Sequence, residues 1–260
     1  MDTTLLWIIS FTFFAGILSV IASSIFLVLP KITRERMLGP LISLAIGALL
    51  GAAFLGLLPQ ALDSQYISGS RDVAATILVG LLVFFLLEKL VLWRHCHHET
   101  CEAHVPSPDA KEYAAGRLIL IGDSFHNFID GIIIAGAFIT DIQLGILTGL
   151  AVTAHEIPQE VGDFAILLKS GYSRARALAY NIATSITSVV GGVIAFYFFR
   201  ESQQILPYVL AFAAASFIYV AVADLIPGLH KRVDLKTTIQ QFVLILAGVS
   251  IIYFMQEILH

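Results

Sequence analysis

The sequence predicts an all-α integral membrane protein, a single domain over residues 1–260 with eight transmembrane helices and both termini outside. Three observations predict it. Hydrophobic residues make up 58% of the chain and charged residues only 13%, where a soluble domain carries about 25% charge. Eight stretches approach the roughly 20 apolar residues that a hydrocarbon core requires, at 5–29, 40–60, 73–93, 117–139, 143–168, 174–199, 206–228 and 238–258. Lys and Arg gather in alternate connections: Lys31, Arg34 and Arg36; Arg94 and Lys111; Lys169, Arg174 and Arg176; Lys231, Arg232 and Lys236. The intervening connections hold only Arg71 and Arg200, so the positive side is read as cytoplasmic.

Each element has its own signature. The run from Leu5 to Leu29 lacks a basic leader and is too long for the apolar part of a signal peptide, so it reads as the first span. The second span carries Gly47, Ala48, Gly51, Ala52 and Gly56, which suit close helix packing or a sliding surface. Pro59 and Pro227 read as prolines simply tolerated near helix ends. In the third span Glu88 precedes Lys89, and a local ion pair competes evenly with a ligand role. The connection 94–116 is read as a cytoplasmic loop, with His95, Cys96, His97, His98, Cys101 and His104. That composition traps soft metals, though without fixed spacing. In the sixth span Asn181, Ser185 and Ser188 share a stripe that lines a path or packs, with packing favoured for Ser188. Asp224 and His230, in and just after the seventh span, are candidate path residues. Asp163 is equally a vestibule residue or a packing one, and Glu160 is expected to point away from the Gln159 face.

The fourth and fifth spans carry the chemistry. Ionisable groups are expensive in hydrocarbon and usually mark function there. His126 and Asp130 are four residues apart, hence on one helix face, about 6 Å apart along the axis. His155 and Gln159 repeat that spacing, and Asn127 and Glu156 each sit one step round from the leading His. If the two helices pack face to face, six side chains converge. Imidazole with carboxylate suits Zn²⁺ and leaves Fe²⁺, Mn²⁺ and Cd²⁺ open. A lone His or Asn would more often only tie helices together, but two matched clusters favour metal. Pro158 has no N–H and so frees the carbonyl of Ala154, next to His155. The net charge of -4 gives no sign of nucleic acid, and no phosphate-binding loop or organic cofactor motif is present. An alternative is an intramembrane zinc-dependent hydrolase, because His155-Glu156-x-x-Gln159 is one residue short of a metalloprotease pattern.

These residues resemble the ZIP (Zrt-, Irt-like protein) family of zinc and iron transporters. His126-Asn127-Phe128-x-Asp130-Gly131 is similar to the family's fourth-helix motif. The stretch from His155 to Phe164 is similar to the fifth-helix motif of the subfamily reading His-Glu-x-Pro-His-Glu. The resemblance runs along nearly the whole chain and implies a homodimeric importer of divalent metal ions, Zn²⁺ above all, rather than an enzyme. It implies a multi-pass protein of the plasma membrane, or of the inner membrane in a bacterium. The implied ligands are His126, Asn127, Asp130, His155, Glu156 and Gln159, in a mononuclear or binuclear centre. Helices one, four, five and six are implied to slide against two, three, seven and eight. Three departures stand out: Gln159 replaces the motif's second His, small residues surround Ala52 and Gly56 where the subfamily carries Asp and His, and Gly228 stands where Glu is usual. Gln is a weaker, neutral ligand, which bears on affinity and metal preference.

Overall fold

A computed structural model describes residues 2–67, 69–96, 108–230 and 234–259. The described residues are helical, with no strand. Eight long helices follow in order: α1 (Thr3–Val28), α2 (Lys31–Gly51), α3 (Ser70–Cys96), α4 (Pro108–Thr140), α5 (Ile142–Lys169), α6 (Arg174–Glu201), α7 (Leu206–Tyr219) and α8 (Leu235–Leu259). Two of them do not stop at those bounds. α2 continues through a π-helical segment, Ala52–Leu57, into Leu58–Leu62. α7 continues through Val220–Leu225, also π-helical, into Ile226–Leu229.

Seven of these helices are long and apolar enough to cross a membrane. The exception is α5. Its 28 residues reach about 42 Å, but His155, Glu156, Glu160 and Asp163 break its apolar character and are buried among the other helices. The chain is thus an all-α, multi-pass integral membrane protein. Several helices outrun their apolar cores. α2 starts directly after Pro30, so Lys31, Arg34 and Arg36 lie on its first turns rather than in a loop. α3 runs to Cys96 and α4 begins at Pro108, so both ends of the expected 94–116 connection are helical. Of its candidate metal residues, His97, His98, Cys101 and His104 lie outside the described residues, and His95 and Cys96 end the α3 backbone.

The helices fall into two packing groups. α4 packs on α6, and both pack on α1 and α5; α2 packs on α8, and α3 on α7. Glycine permits the closest approaches. A Cβ on Gly131 of α4 would stand 1.9 Å from the Ser188 carbonyl oxygen, and one on Gly191 of α6 would stand 2.2 Å from that of Phe128. On the other side, a Cβ on Gly47 would meet the Ile245 oxygen at 2.1 Å, and one on Gly248 the Leu44 oxygen at 2.4 Å. The small stripe of α2 therefore serves close packing against α8. Between the groups the approach is through side chains: across that boundary a Cβ on Gly56 would meet Leu144 Cδ1 of α5, at 3.3 Å.

Pro59 is more than tolerated. It has no N–H to offer the carbonyl of Leu55 four residues earlier. Gln256 of α8 donates its Nε2 hydrogen to that carbonyl at 2.7 Å. Pro227 has the same placement after the π-helical segment of α7.

Candidate metal centre

α4 and α5 form an antiparallel hairpin with a single residue between them, Asp141. Asp141 caps α5 by accepting the Leu144 N–H at 2.9 Å. His126 lies fifteen residues before Asp141 and His155 fourteen after it. At 1.5 Å per residue both sit about 21–22 Å from the turn, so the hairpin sets the two imidazoles at one level. Both helices are near their midpoints there.

Four side chains meet at that level. His126 Nε2 is 3.2 Å from His155 Nε2, 3.6 Å from Glu156 Oε1 and 3.7 Å from Asp130 Oδ2. His155 Nε2 is 3.3 Å from Asp130 Oδ2 and 3.8 Å from Glu156 Oε1. One ligand atom from each of the four lies within 4.8 Å of every other. A tetrahedral zinc ion with bonds of 2.0–2.1 Å holds its ligand atoms about 3.3–3.4 Å apart. The five separations that involve a histidine bracket that value, and the Asp130 and Glu156 oxygens lie within 4.8 Å of each other, so the four groups can take such an ion once the two carboxylates close in.

Protonation and desolvation point the same way. His155 Nδ1 lies 3.2 Å from the carbonyl oxygen of Ala151. A carbonyl can only accept, so Nδ1 carries the proton and Nε2 turns its lone pair to the other three groups. Asp130, His155 and Glu156 are each about 1% exposed. Asp130 Oδ2 and both carboxylate oxygens of Glu156 are buried without a hydrogen-bond donor. Buried carboxylate oxygens left so are costly, and a cation among them removes that cost. The rings of His155 and of Phe217 on α7 stand edge to face, with centroids 6.2 Å apart.

The other expected ligands behave differently. Asn127 is buried, and its Nδ2 donates to Asp123 Oδ1 at 2.9 Å and to the Asp123 carbonyl at 3.2 Å. Gln159 is half-buried, one turn beyond His155. Glu160, expected to point away from the Gln159 face, meets α6. It is fully buried, and accepts from Asn181 Nδ2 at 2.5 Å and from Ser185 Oγ at 3.4 Å. Asp163 is buried as well, and Ser188 lies at the tight crossing of α4 and α6. Asp224, in the π-helical segment of α7, and His230 are exposed. Glu88 accepts a hydrogen bond from Tyr219 Oη, while Lys89 sits 5.8 Å over the Phe85 ring, so Glu88 is tied to α7 rather than to its neighbour.

Asp123 was not singled out in the sequence, although a carboxylate four residues before Asn127 within a span is a usable signal. It is buried, one turn before His126. At the opposite end of the bundle a surface cavity of about 270 Å³ opens between Gln60, Asp63, Tyr66, Thr140 and Gln203.

The family model described as "ZIP Zinc transporter" matches residues 93–256. The chain is 30% identical to the zinc transporter ZIP13 of Pongo abelii over 81% of this chain and 64% of that protein. It is 29% identical to an uncharacterized zinc transporter of Schizosaccharomyces pombe, over 92% of this chain and 69% of the relative. It is 40% identical to the zinc transporter foi of Drosophila melanogaster over 56% of this chain and 21% of that one. The chain thus spans a little under two thirds of the ZIP13 relative's length.

Proposed function

The chain belongs to the ZIP zinc transporter family, and from that premise we propose that it carries a divalent metal ion, Zn²⁺ in the first place, across a membrane. The ion binds at His126, Asp130, His155 and Glu156, with Gln159 as a weaker fifth ligand from the next turn of α5. Asn127 positions Asp123 rather than the ion. One observation carries this reading: four ligand atoms from two helices stand at zinc-like separations, with three carboxylate oxygens buried and lacking donors. Fe²⁺, Mn²⁺ and Cd²⁺ are further substrates that this donor set accepts.

Import into the cytoplasm of a plasma or bacterial inner membrane, by a homodimer, completes the reading. The Lys and Arg bias supports the sidedness. The cavity at Gln60 and Thr140 then faces outside, as an entrance. The division into two packing groups supports a movement of α1, α4, α5 and α6 against the rest, with Asp224 and His230 along the route. The hydrolase alternative is not favoured. A hydrolase would hold Glu156 back as a base, whereas here its Oε1 stands among the ligand atoms.

The test is ⁶⁵Zn uptake into proteoliposomes of the purified protein, beside H126A/H155A. Uptake that vanishes in the double variant supports the reading. Equal uptake by both would exclude this centre as the ion's route.

A further inference from the structure

We propose that an anionic phospholipid seats its phosphate headgroup in a cavity where α2 and α8 begin, on the positive side of the membrane. The cavity measures about 240 Å³, far more than one ordered water needs. Three segments wall it: the start of α2 around Arg36, the end of the α7 continuation at Gly228 and Leu229, and the start of α8.

The lining changes character with depth. Arg36 stands in the second turn of α2 and Thr237 in the first turn of α8, and Gln240 and Gln241 follow one turn on. They bring a guanidinium, a hydroxyl and two amides, all able to donate to phosphate oxygens. Ile42 and Leu244 also line the cavity, about 9–11 Å deeper along the helix axes than Arg36 and Thr237. A soluble anion needs only the polar end. A lipid needs both ends, a head at the water boundary and an apolar neighbour beneath it.

Charge fits the same occupant. Arg36 is exposed and has no carboxylate partner among the described residues. With Lys31, Arg34 and Lys236, on the first turns of the same two helices, it outnumbers the nearby Glu35 and Asp234. Asp234 is already engaged, accepting the Thr237 N–H at 2.9 Å. Basic pockets between transmembrane helices on the positive side suit anionic headgroups.

Two glycines keep the space open: a Cβ on Gly39 or on Gly228 would meet nothing within 4 Å. Gln241 reaches from α8 to the α7 continuation, donating to the Leu229 carbonyl at 3.4 Å. A headgroup beside it bridges α2, α7 and α8, all in the packing group that lacks the metal ligands. The site follows from the fold and is independent of what the metal centre carries.

The test is native mass spectrometry of the full-length chain in detergent, titrated with phosphatidylglycerol or with phosphatidylcholine of the same acyl chains. Phosphatidylcholine carries the same phosphate beside a quaternary amine that the basic rim repels. We expect one phosphatidylglycerol bound about tenfold tighter than phosphatidylcholine. Arg36→Gln removes a donor, and Gly228→Glu puts a carboxylate into the open space; each should weaken phosphatidylglycerol about tenfold. Position 36 is exposed and a side chain at 228 starts into free space, so neither change disturbs packing. Arg176→Gln, exposed at the start of α6, removes the same charge elsewhere on that side and should change nothing. Equal affinity for the two lipids, or unchanged affinity in Arg36→Gln and Gly228→Glu, overturns the proposal. An equal loss in Arg176→Gln does so too, because it shows diffuse surface charge rather than a site. Displacement of the lipid by an equal concentration of glycerol phosphate also overturns it, in favour of a soluble phosphate.

Discussion

Replacing Gly131 by alanine should damage the protein without touching an ion. The new Cβ would stand 1.9 Å from the Ser188 carbonyl oxygen, 2.7 Å from its carbon and 2.8 Å from the Gly192 nitrogen. A carbon and a carbonyl oxygen normally approach no closer than about 3.3 Å. The obstacles are backbone atoms, which no rotamer change can move, so α6 must retreat from α4 by roughly 1.4 Å. Such overpacking costs about 1–3 kcal/mol. The shift also reaches the metal centre, because Gly131 follows Asp130, whose Oδ2 lies 3.3 Å from His155 Nε2. Misplacing a reacting group by about 1 Å can cost about 100-fold. We therefore expect ⁶⁵Zn uptake to fall about 10–100-fold, with a lower melting temperature in nanodiscs. Gly122→Ala is the control on the same helix, since its Cβ meets nothing within 4 Å. It should leave uptake alone and gain up to about 1 kcal/mol of helix propensity. Gly131→Ala with wild-type stability and uptake, or equal damage from Gly122→Ala, would refute the reasoning.

Other perturbations probe separate parts. Glu156→Gln keeps the shape but removes a charged ligand, and Zn²⁺ affinity measured by dialysis should drop at least about tenfold while the protein still inserts. Saturating Zn²⁺ at about 100 times its dissociation constant should stabilise the fold by about 2.7 kcal/mol, read as a rise in melting temperature that H126A/H155A lacks. Gln256→Leu leaves the Leu55 carbonyl without its side-chain donor and should cost about 1–3 kcal/mol, measured by thermal unfolding, with Zn²⁺ stoichiometry unchanged. Changing all six His and Cys residues between His95 and His104 to serine should leave substantial uptake in the proteoliposome assay; abolished uptake with normal insertion would place the loop in the pathway.

The spans were legible because a bilayer demands long apolar runs, and that demand is written into composition. Their ends were not, since α2 and α4 continue through charged residues that apolarity alone does not bound. His126, Asp130, His155 and Glu156 were legible because helical spacing fixes which side chains share a face. For Asn127, spacing gives its place on the helix but not that Asp123, one turn back, takes its amide N–H. The partners of Glu160, Asn181 and Ser185, come from α6. No reading of α5 alone could anticipate them. The π-helical segments before Pro59 and Pro227 leave no mark in the sequence beyond the prolines themselves.

The union of α2 with α8 also bears on how the protein is made. Gln256 follows Leu55 in the chain by 201 residues. At about 5–20 residues per second, the ribosome delivers it about 10–40 s later. Throughout that interval Gly47, Gly51 and the Leu55 carbonyl lack the partners they have in the finished fold. α4 and α6 complete their own crossing well before then. The half bearing the metal ligands is thus assembled while the other half still waits for its final helix, and a nascent chain halted before α8 would present an open glycine face to the lipid and to whatever surveys it.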